Sequence, residues 1–238
     1  MRFRLPLGRS LFFVCAFLFA LVALLPLRLA VDWLSLDDRA FAAREAKGSI
    51  WFGGLSEVQL GPVALGDLQA GLRTLPLLIG RARVDLKRRG DEDPFEGSAT
   101  VSRHGFGFDD VTARVALGSA FAPLPLGSFD LSQVTVRYAD GLCASAQGAV
   151  TANLAADVAG LTLQSGLTGT ARCEDGALLL PLKSQSGMEG LSIRLYDDGR
   201  YRVELAVNST DPLLGAKLAA SGFTQTNAGY VLGVDGTF

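Results

Sequence analysis

The chain begins with an unbroken apolar stretch and then changes to an alternating pattern that lasts almost to its end. Residues 11–27 carry no charged side chain. As a helix they would rise about 25 Å at ~1.5 Å per residue, close to the thickness of a hydrocarbon core. No face of such a helix is polar enough to meet water. The pattern predicts a transmembrane anchor over residues 11–30, with Pro26 in its last turn, where a missing hydrogen bond costs least.

A cleavable signal peptide is the main alternative to an anchor. Cleavage needs small residues at the third and first positions before the cut, just after the apolar stretch. A cut after Ala30 would put Arg28 at the third position, and the nearest pattern of small residues, at 40–42, lies too far away. We therefore expect the segment to be retained.

The flanking charges predict the orientation of the anchor. Arg2, Arg4 and Arg9 precede the apolar stretch 11–27, whereas Arg28 and then three aspartates follow that stretch. Because positive residues stay on the cytoplasmic side, residues 1–10 are expected in the cytoplasm, and the chain beyond the anchor is expected to be exported.

A short helix is predicted between the anchor and the exported body. Ser35 lies three residues before Asp38, an arrangement that satisfies free amides at a helix start. Good helix formers then continue to Gly48. We expect residues 31–47 to form this linker helix.

Beyond Gly48 the apolar residues alternate with polar or small ones, which is typical of half-buried strands. The clearest runs are Val111, Ala113, Val115 and Leu117; Val134, Val136 and Tyr138; and Tyr201, Val203, Leu205 and Val207. Asp-Gly pairs at 140–141, 175–176 and 198–199 suit two-residue hairpin turns. The fold class predicted is mostly β: a curled antiparallel sheet over residues 48–238, with helical periodicity best at 212–220.

Two stretches of this region are predicted to be irregular. Residues 87–94 combine charges of both signs with a proline, which indicates an exposed loop. The proline-containing stretch 120–127 is the best candidate for a linker between two halves of one sheet.

The chain has three cysteines. Cys15 lies inside the apolar stretch and is interpreted as a small hydrophobic residue. Cys143 and Cys173 fall in the exported part, where oxidising conditions favour a disulfide. Closing that loop would contribute about 3 to 4 kcal/mol in the chain-entropy treatment. Two free thiols and a metal pair are the alternatives, and the metal pair is weak because no histidine or third cysteine stands nearby.

Composition and charge exclude several classes of function. There are 22 basic and 24 acidic residues. Four of the basic residues lie in residues 1–30, which leaves 18 against 24 and a net charge of −6 in the rest. That charge argues against binding to nucleic acid and to anionic lipid surfaces. His104 is the only histidine of the chain, which makes zinc chemistry improbable.

The chain lacks the familiar catalytic motifs for a nucleophilic serine, a phosphate loop or a zinc protease. The carboxylate pairs at 109–110, 174–175 and 197–198 are interpreted as turn residues, because neighbouring strand residues point to opposite faces. His104, beside a turn, is interpreted as an ordinary exposed residue. We expect no catalytic, metal-binding or cofactor-binding residues, no cofactor and no enzyme activity.

A family resemblance covers nearly the whole chain. Gly48, Trp51 and Gly53 form a Gly-x-hydrophobic-Trp-x-Gly motif shortly after the apolar stretch. A leucine-rich segment with proline and Gly-Arg follows at 75–81, and the two-cysteine region and the closing strands come in the same order. In these features the chain resembles type II secretion system protein N. The tryptophan common before that proline is replaced here by Arg73 or Thr74.

The resemblance implies a single-pass inner-membrane accessory protein with its body in the periplasm. It would act in export of folded proteins through contacts with other inner-membrane components of the type II system. Membrane lipid would be met through the anchor, and neither nucleic acid nor a small-molecule substrate is expected. The strand at 230–238 is the candidate edge for docking. The family is also similar to AsmA-like proteins, which implies the alternative of periplasmic lipid handling or envelope biogenesis.

Overall fold

The computed structural model describes residues 7–29, 41–60, 63–77, 79–88, 95–118, 120–124, 126–154, 166–209 and 211–237. Its helices include α1 (Leu7–Ala23), α2 (Thr74–Leu77) and α3 (Pro212–Ala220). Its strands are β1 (Phe41–Ala42), β2 (Glu45–Gly48), β3 (Gly53–Leu60), β4 (Val63–Leu72), β5 (Ala82–Arg88), β6 (Phe95–Ser102), β7 (Gly105–Ala116), β8 (Leu126–Ala139), β9 (Leu142–Leu154), β10 (Leu167–Thr170), β11 (Arg172–Glu174), β12 (Ala177–Lys183), β13 (Glu189–Leu195), β14 (Arg200–Val207), β15 (Thr224–Thr226) and β16 (Gly229–Thr237).

These sixteen strands form one antiparallel sheet. Most of it follows the chain as a meander, in the order β1-β3-β4-β5-β6-β7-β8-β9-β10-β12-β13-β14-β16-β15, while β2 pairs with β3 and β11 with β12. The predicted Asp-Gly turns join neighbouring strands. Asp140, Gly141, Asp175 and Gly176 all have positive φ, the backbone conformation that such hairpin turns require. The predicted mostly-β antiparallel fold is therefore confirmed.

The sheet bends strongly around its C-terminal strands. Four strand spacings separate β8 from β13, which is about 19 Å across a flat sheet at ~4.8 Å per spacing. Yet the Tyr138 hydroxyl on β8 donates to the Leu195 carbonyl on β13 at 3.0 Å. The two strands consequently face each other across a core, and burial there raises the pKa of Tyr138 to about 12.

The large core lies on the apolar face of β8–β16, here called the C-terminal half. Its fully buried members come from several strands and from α3: Val150, Leu167, Leu182, Leu191, Ile193, Val203, Leu205 and Leu218. The loop between β7 and β8 packs into the same core, with Phe121 edge-on to Tyr201 at 5.2 Å between centroids. The stretch predicted as a linker between two halves of the sheet, 120–127, does lie between β7 and β8, with 126–127 already in β8, and its side chains Ala120, Phe121 and Leu124 are buried in this core.

The N-terminal half, β1–β7, has a much smaller core. Leu55, Val58, Leu68 and Ala70 are buried there, with partly buried neighbours around them. Further along the same face, Phe106 stacks on Tyr138 at 4.9 Å between ring centroids but stays partly exposed. The apolar face therefore continues from one half into the other, whereas the β7–β8 loop and α3 pack only on the C-terminal half.

Arginine–carboxylate pairs line the opposite face of the sheet. They connect neighbouring strands at Arg114–Asp130, Arg137–Asp109 and Arg202–Asp235, with N–O distances of 2.6, 2.9 and 2.9 Å. Most of these side chains are exposed, so each pair contributes little to stability. Their charged guanidinium and carboxylate groups keep this face polar and compatible with water.

The N-terminal segment differs from the sequence-based expectation. Helix α1 ends at Ala23 and Pro26 forms a bridge to Ser49, so the prediction that Pro26 occupies the last helical turn is wrong. A proline disfavours helical conformation in the residue before it, which explains the early end. Among the described helices, none combines the length and apolar character needed to cross a membrane.

The predicted linker helix over residues 31–47 is wrong where it can be compared. Residues 41–42 and 45–48 form β1 and β2, both paired with β3, and residues 31–40 lie outside the described residues. The edge of β3 offers unpaired backbone groups, and pairing with it outweighs the weak helix preference of a short segment. Of the loop predicted at 87–94, residues 87–88 instead end β5 and the rest lies outside the described residues.

Candidate functional site

The family motif forms a tight turn, Ser49–Phe52, between β2 and β3. Gly48 and Gly53 are paired across the base of this motif turn. Gly48 has φ +87°, and a Cβ there would lie 2.6 Å from the Phe52 carbonyl oxygen. A Cβ on Gly53 would lie 2.5 Å from the Leu27 side chain and 2.9 Å from the Ser49 carbonyl oxygen. Both glycines are therefore required by the shape of the turn.

The motif turn joins three separate parts of the chain. The Ile50 amide donates to the Leu25 carbonyl just after α1, at 3.1 Å, and the Ile50 carbonyl accepts from the Leu72 amide, at 2.9 Å. The Ile50 side chain is buried, and Leu27 packs against the small core of the N-terminal half. The turn thus attaches the segment that follows α1 to the sheet.

The aromatic residues of the motif turn differ in environment. Trp51 is partly buried, whereas Phe52 is 87% exposed at the tip of the turn. An open cleft of about 900 Å³ lies beside them. Gly54, Gln69 and Gly71 are among the residues that line it. Its charged lining residues are Lys47, Asp67, Arg73, Asp85 and Lys87, of which Arg73 and Asp85 pair with each other.

The loop between β4 and β5, residues 73–81, lies next to the motif turn. Alternation of antiparallel strands puts both connections at the same end of the sheet, and the Leu72–Ile50 hydrogen bond joins them directly. This loop contains α2 and exposes Leu75 and Ile79, which are 77% and 72% accessible. Arg73 in the loop pairs with Asp85 of β5 at 2.5 Å.

A buried carboxylate, Asp109, lies further along the polar face. It accepts from the Arg137 guanidinium at 2.9 Å and from the Thr100 hydroxyl at 3.2 Å, and Arg83 lies 3.6 Å away. Two arginines thus compensate its charge, and the cluster ties β5, β6, β7 and β8 together. With every oxygen engaged in structural contacts, this arrangement indicates a structural role.

The other predicted polar pairs are distributed along the sheet. Asp109 and Asp110 lie inside β7, so their interpretation as turn residues is wrong. Asp109 is buried and Asp110 is exposed, as expected for neighbouring strand residues that point to opposite faces. Glu174 lies at the end of β11, where a hydrogen bond from Arg172 holds its pKa below the usual range. The pKa of Asp198 in the β13–β14 turn is lowered by the Arg200 amide. His104 is exposed in the β6–β7 turn, as predicted.

No group of three or more His, Cys, Asp or Glu side chains suited to a metal ion occurs in the part of the chain that the structure describes. Two of the three cysteines are joined instead. Cys143 of β9 and Cys173 of β11 form a disulfide with Cα atoms 5.5 Å apart. The Cys143 amide also donates to the Gly176 carbonyl at 2.8 Å, which joins β9 to the turn between β11 and β12.

The two edge strands of the sheet are covered unequally. At the N-terminal edge, β1 and β2 pair with most of β3. At the C-terminal edge, β16 pairs along 230–237 with β14, whereas β15 pairs only with 229–231 of β16. Within the described residues, the outer side of β16 therefore has no strand partner from 232 to 237. The predicted terminal strand does lie at this edge of the sheet.

Sequence reasoning identified Gly48, Trp51 and Gly53 only as a resemblance and missed what the motif does. The contact of Leu25 and Pro26 with the turn was not predicted, because these residues were interpreted as the end of an apolar helix. One signal was available: a proline near the end of such a stretch favours an end to the helix before it. The exposed apolar residues beside the turn were also missed, since alternation does not report exposure.

The fold defines a class: a mostly-β protein built on one large open antiparallel sheet, with an apolar helix followed by a segment that is hydrogen-bonded to the β2–β3 turn. Residues 39–232 match the family model described as "Type II secretion system (T2SS), protein N". The chain belongs to the type II secretion system protein N family. It is 23% identical over 215 residues to type II secretion system protein N of Vibrio cholerae serotype O1 (strain ATCC 39315 / El Tor Inaba N16961), covering 83% of each chain. No solved structure matches it.

Proposed function

We propose that this chain is a non-enzymatic inner-membrane component of the type II secretion system that assists export of folded proteins through contacts with other components. The family match over residues 39–232 carries the proposal. In this arrangement residues 1–10 lie in the cytoplasm, residues 11–30 form the anchor and residues 48–238 form the periplasmic domain. The relative from Vibrio cholerae, similar along most of its length, supports a role in the same machinery.

Two features of the chain support the membrane topology. The apolar stretch 11–27 is preceded by three arginines, which favours a cytoplasmic N-terminus. The disulfide between Cys143 and Cys173 suits an oxidising compartment, because such bonds persist outside the cytosol. Both features agree with an exported β domain held at the inner membrane.

The open edge of β16 supports action by protein contact. Among the residues that the structure describes, no strand pairs with the outer side of 232–237, so this edge can accept a strand from a partner, which extends the sheet. Gly233 and Thr237 are exposed, and a Cβ on Gly233 would lie no closer than 3.9 Å to a neighbouring atom. These two positions can carry a probe without disturbing the sheet.

In-cell photo-crosslinking tests this proposal. A photoreactive residue at Gly233 or Thr237 should capture inner-membrane secretion components, whereas the same residue at exposed Met188, in the β12–β13 turn, should not. Deletion of the gene should lower export of secreted proteins or assembly of the complex. Equal capture from all three positions, together with unchanged export, would contradict the proposal.

A second candidate function is periplasmic lipid handling of the AsmA-like kind. The observation that favours it is the incomplete cover of the apolar face at Val101, Phe106 and Phe108, which are more than a third exposed. If crosslinks from these three positions recover phospholipid, while deletion raises outer-membrane permeability and leaves secretion intact, this function would replace the first.

A further inference from the structure

We infer that the motif turn and the neighbouring β4–β5 loop rest in the surface of the lipid bilayer, with Phe52, Leu75 and Ile79 inserted among the lipids. The inference deepens the proposed function and rests on the part of it that places α1 in a membrane. It assigns to the family motif a second task beyond fixing α1 to the sheet. The partner is a lipid surface rather than a single lipid molecule.

The position of these loops follows from their contacts with the segment after α1. Leu24 is the last strongly exposed apolar residue at the end of the helix, and the next residue accepts a hydrogen bond from Ile50. Phe52 lies two residues from that contact, and Leu72, which also bonds to Ile50, lies three residues before Leu75. A helix seated in the bilayer therefore brings both loops to its surface.

The exposed side chains at this end have the character of an interfacial surface. Phe52, Leu75 and Ile79 are each more than 70% accessible. They belong to two separate loops that lie at the same end of the strands. Exposure of such large apolar side chains to water is unfavourable. Leu29, just after the contact with the motif turn, is also exposed. Burial among lipid tails would remove this apolar area from water.

The charges nearby match the headgroup region. Arg28 and Arg81 are exposed, and Arg73 keeps most of its side chain in solvent although it pairs with Asp85. Arginines beside inserted apolar residues suit anionic headgroups, because their stems follow apolar surface while their guanidinium groups reach phosphate. The net charge of −6 beyond residue 30 does not oppose this contact, since screening limits its effect to about 10 Å at ~0.1 M salt.

Environment-sensitive fluorescence can test the contact. The full-length protein is reconstituted in vesicles of phosphatidylethanolamine and phosphatidylglycerol, with single cysteines introduced as Phe52→Cys, Leu75→Cys or Ile79→Cys in a Cys15→Ala background. Each is labelled with a nitrobenzoxadiazole dye. Leu213→Cys is the matched control, because Leu213 is 77% exposed, like Leu75. It lies at the start of α3, which follows β14 at the end of the strands opposite to the motif turn. All four positions are exposed, so labelling does not require the core to adapt.

Labels at the three loop positions should shift their emission to shorter wavelength and lose quenching by aqueous iodide on reconstitution, whereas the label at Leu213 should not change. Doxyl groups placed high on the acyl chains should quench the loop labels and spare the control. Loop labels that behave like the Leu213 label would overturn the inference. A dye on the native Cys15 separately reports whether α1 is in lipid, so failure of the anchor and failure of the loop contact are distinguished.

Discussion

The two halves of the sheet share one strand geometry but are stabilised differently. In the C-terminal half the β7–β8 loop and α3 cover the apolar face, and a disulfide joins two of its strands. In the N-terminal half the same face is covered only around a small cluster near Leu55 and Leu68, and Phe106 and Phe108 stay partly exposed. The difference teaches that strand pairing builds the sheet, whereas the elements packed on it determine where it is most stable.

Replacing Phe121 tests the cover of the C-terminal half and should have the largest effect. Phe121→Ala should lower the free energy of unfolding by about 3 to 5 kcal/mol, because it empties the space between Phe129 and Tyr201. Chemical denaturation of the detergent-solubilised protein measures the loss. The control is Phe52→Ala, the same change at an exposed site, which should alter stability by less than about 0.5 kcal/mol. Equal effects would mean that the β7–β8 loop does not contribute to the stability of the core.

Removing the disulfide tests whether the stability of the C-terminal half depends on it. The double substitution Cys143→Ala and Cys173→Ala should destabilise this half by about 2 to 5 kcal/mol.

All four tyrosines lie in this half, and Trp51 lies in the other. In a Trp33→Phe background, tyrosine and tryptophan signals therefore report the two halves separately. An earlier tyrosine transition with an unchanged tryptophan transition is expected, and Cys15→Ala should leave both unchanged. A parallel shift of the two would show that the halves unfold as one unit.

The motif turn offers a test confined to the N-terminal half. Gly48→Ala should cost about 2 to 3 kcal/mol, since it combines positive φ with a close approach to the Phe52 carbonyl. Gly80→Ala is the matched control: Gly80 also has positive φ, but nothing lies within 4 Å of a Cβ there, and its cost should be about 1 kcal/mol. Hydrogen exchange of the β2 and β3 amides should accelerate in the first variant. If both variants exchange alike, the turn does not hold the segment after α1.

The smallest expected effect concerns an ion pair that joins the two halves. The Arg114 guanidinium on β7 hydrogen-bonds Asp130 on β8 and lowers the pKa of that carboxyl. A lowered pKa in the folded state means that the contribution is present above the unfolded pKa and is lost as the pH falls through the folded value. The loss should be less than about 1 kcal/mol.

Denaturant midpoints measured between neutral and acidic pH provide the test of this pair. Asp130→Asn should reduce the acid-dependent part of the stability and leave the remaining part unchanged. A pH profile identical to that of the unmodified protein would show that the pair is silent.

Much of the sheet could be predicted because its signals are local. Alternation at Val134, Val136 and Tyr138 reports a strand whichever neighbour it pairs with, and Asp140-Gly141 supplies the positive φ of a tight turn by itself. The helix at 212–220 was predicted with the same bounds as α3, helped by Pro212 at its first position and by Asp211, whose side chain accepts from the Leu213 amide. The disulfide followed from the number and position of the cysteines.

The candidate site could be predicted only in part. The sequence singled out Gly48, Trp51 and Gly53, and the two glycines have geometric reasons that lie within the turn itself. It did not reveal that Ile50 would bond to Leu25 and Leu72, because these residues are remote from one another along the chain. It also assigned a helix to residues that pair with β3, since helix preference is a local property and the free edge of β3 is not.

By itself, then, the sequence determined the clearly alternating strands, the Asp-Gly turns, the disulfide partners and the apolar stretch at the start, because each depends on residues close in the chain or on simple counting. Only the tertiary structure decided that the β7–β8 loop enters the core, that α1 ends early to meet the motif turn, and which part of the apolar face stays uncovered. Burial is a property of pairs of surfaces. Whether Phe121 or Phe108 becomes buried depends on what packs against it, and alternation within one strand carries no record of that partner.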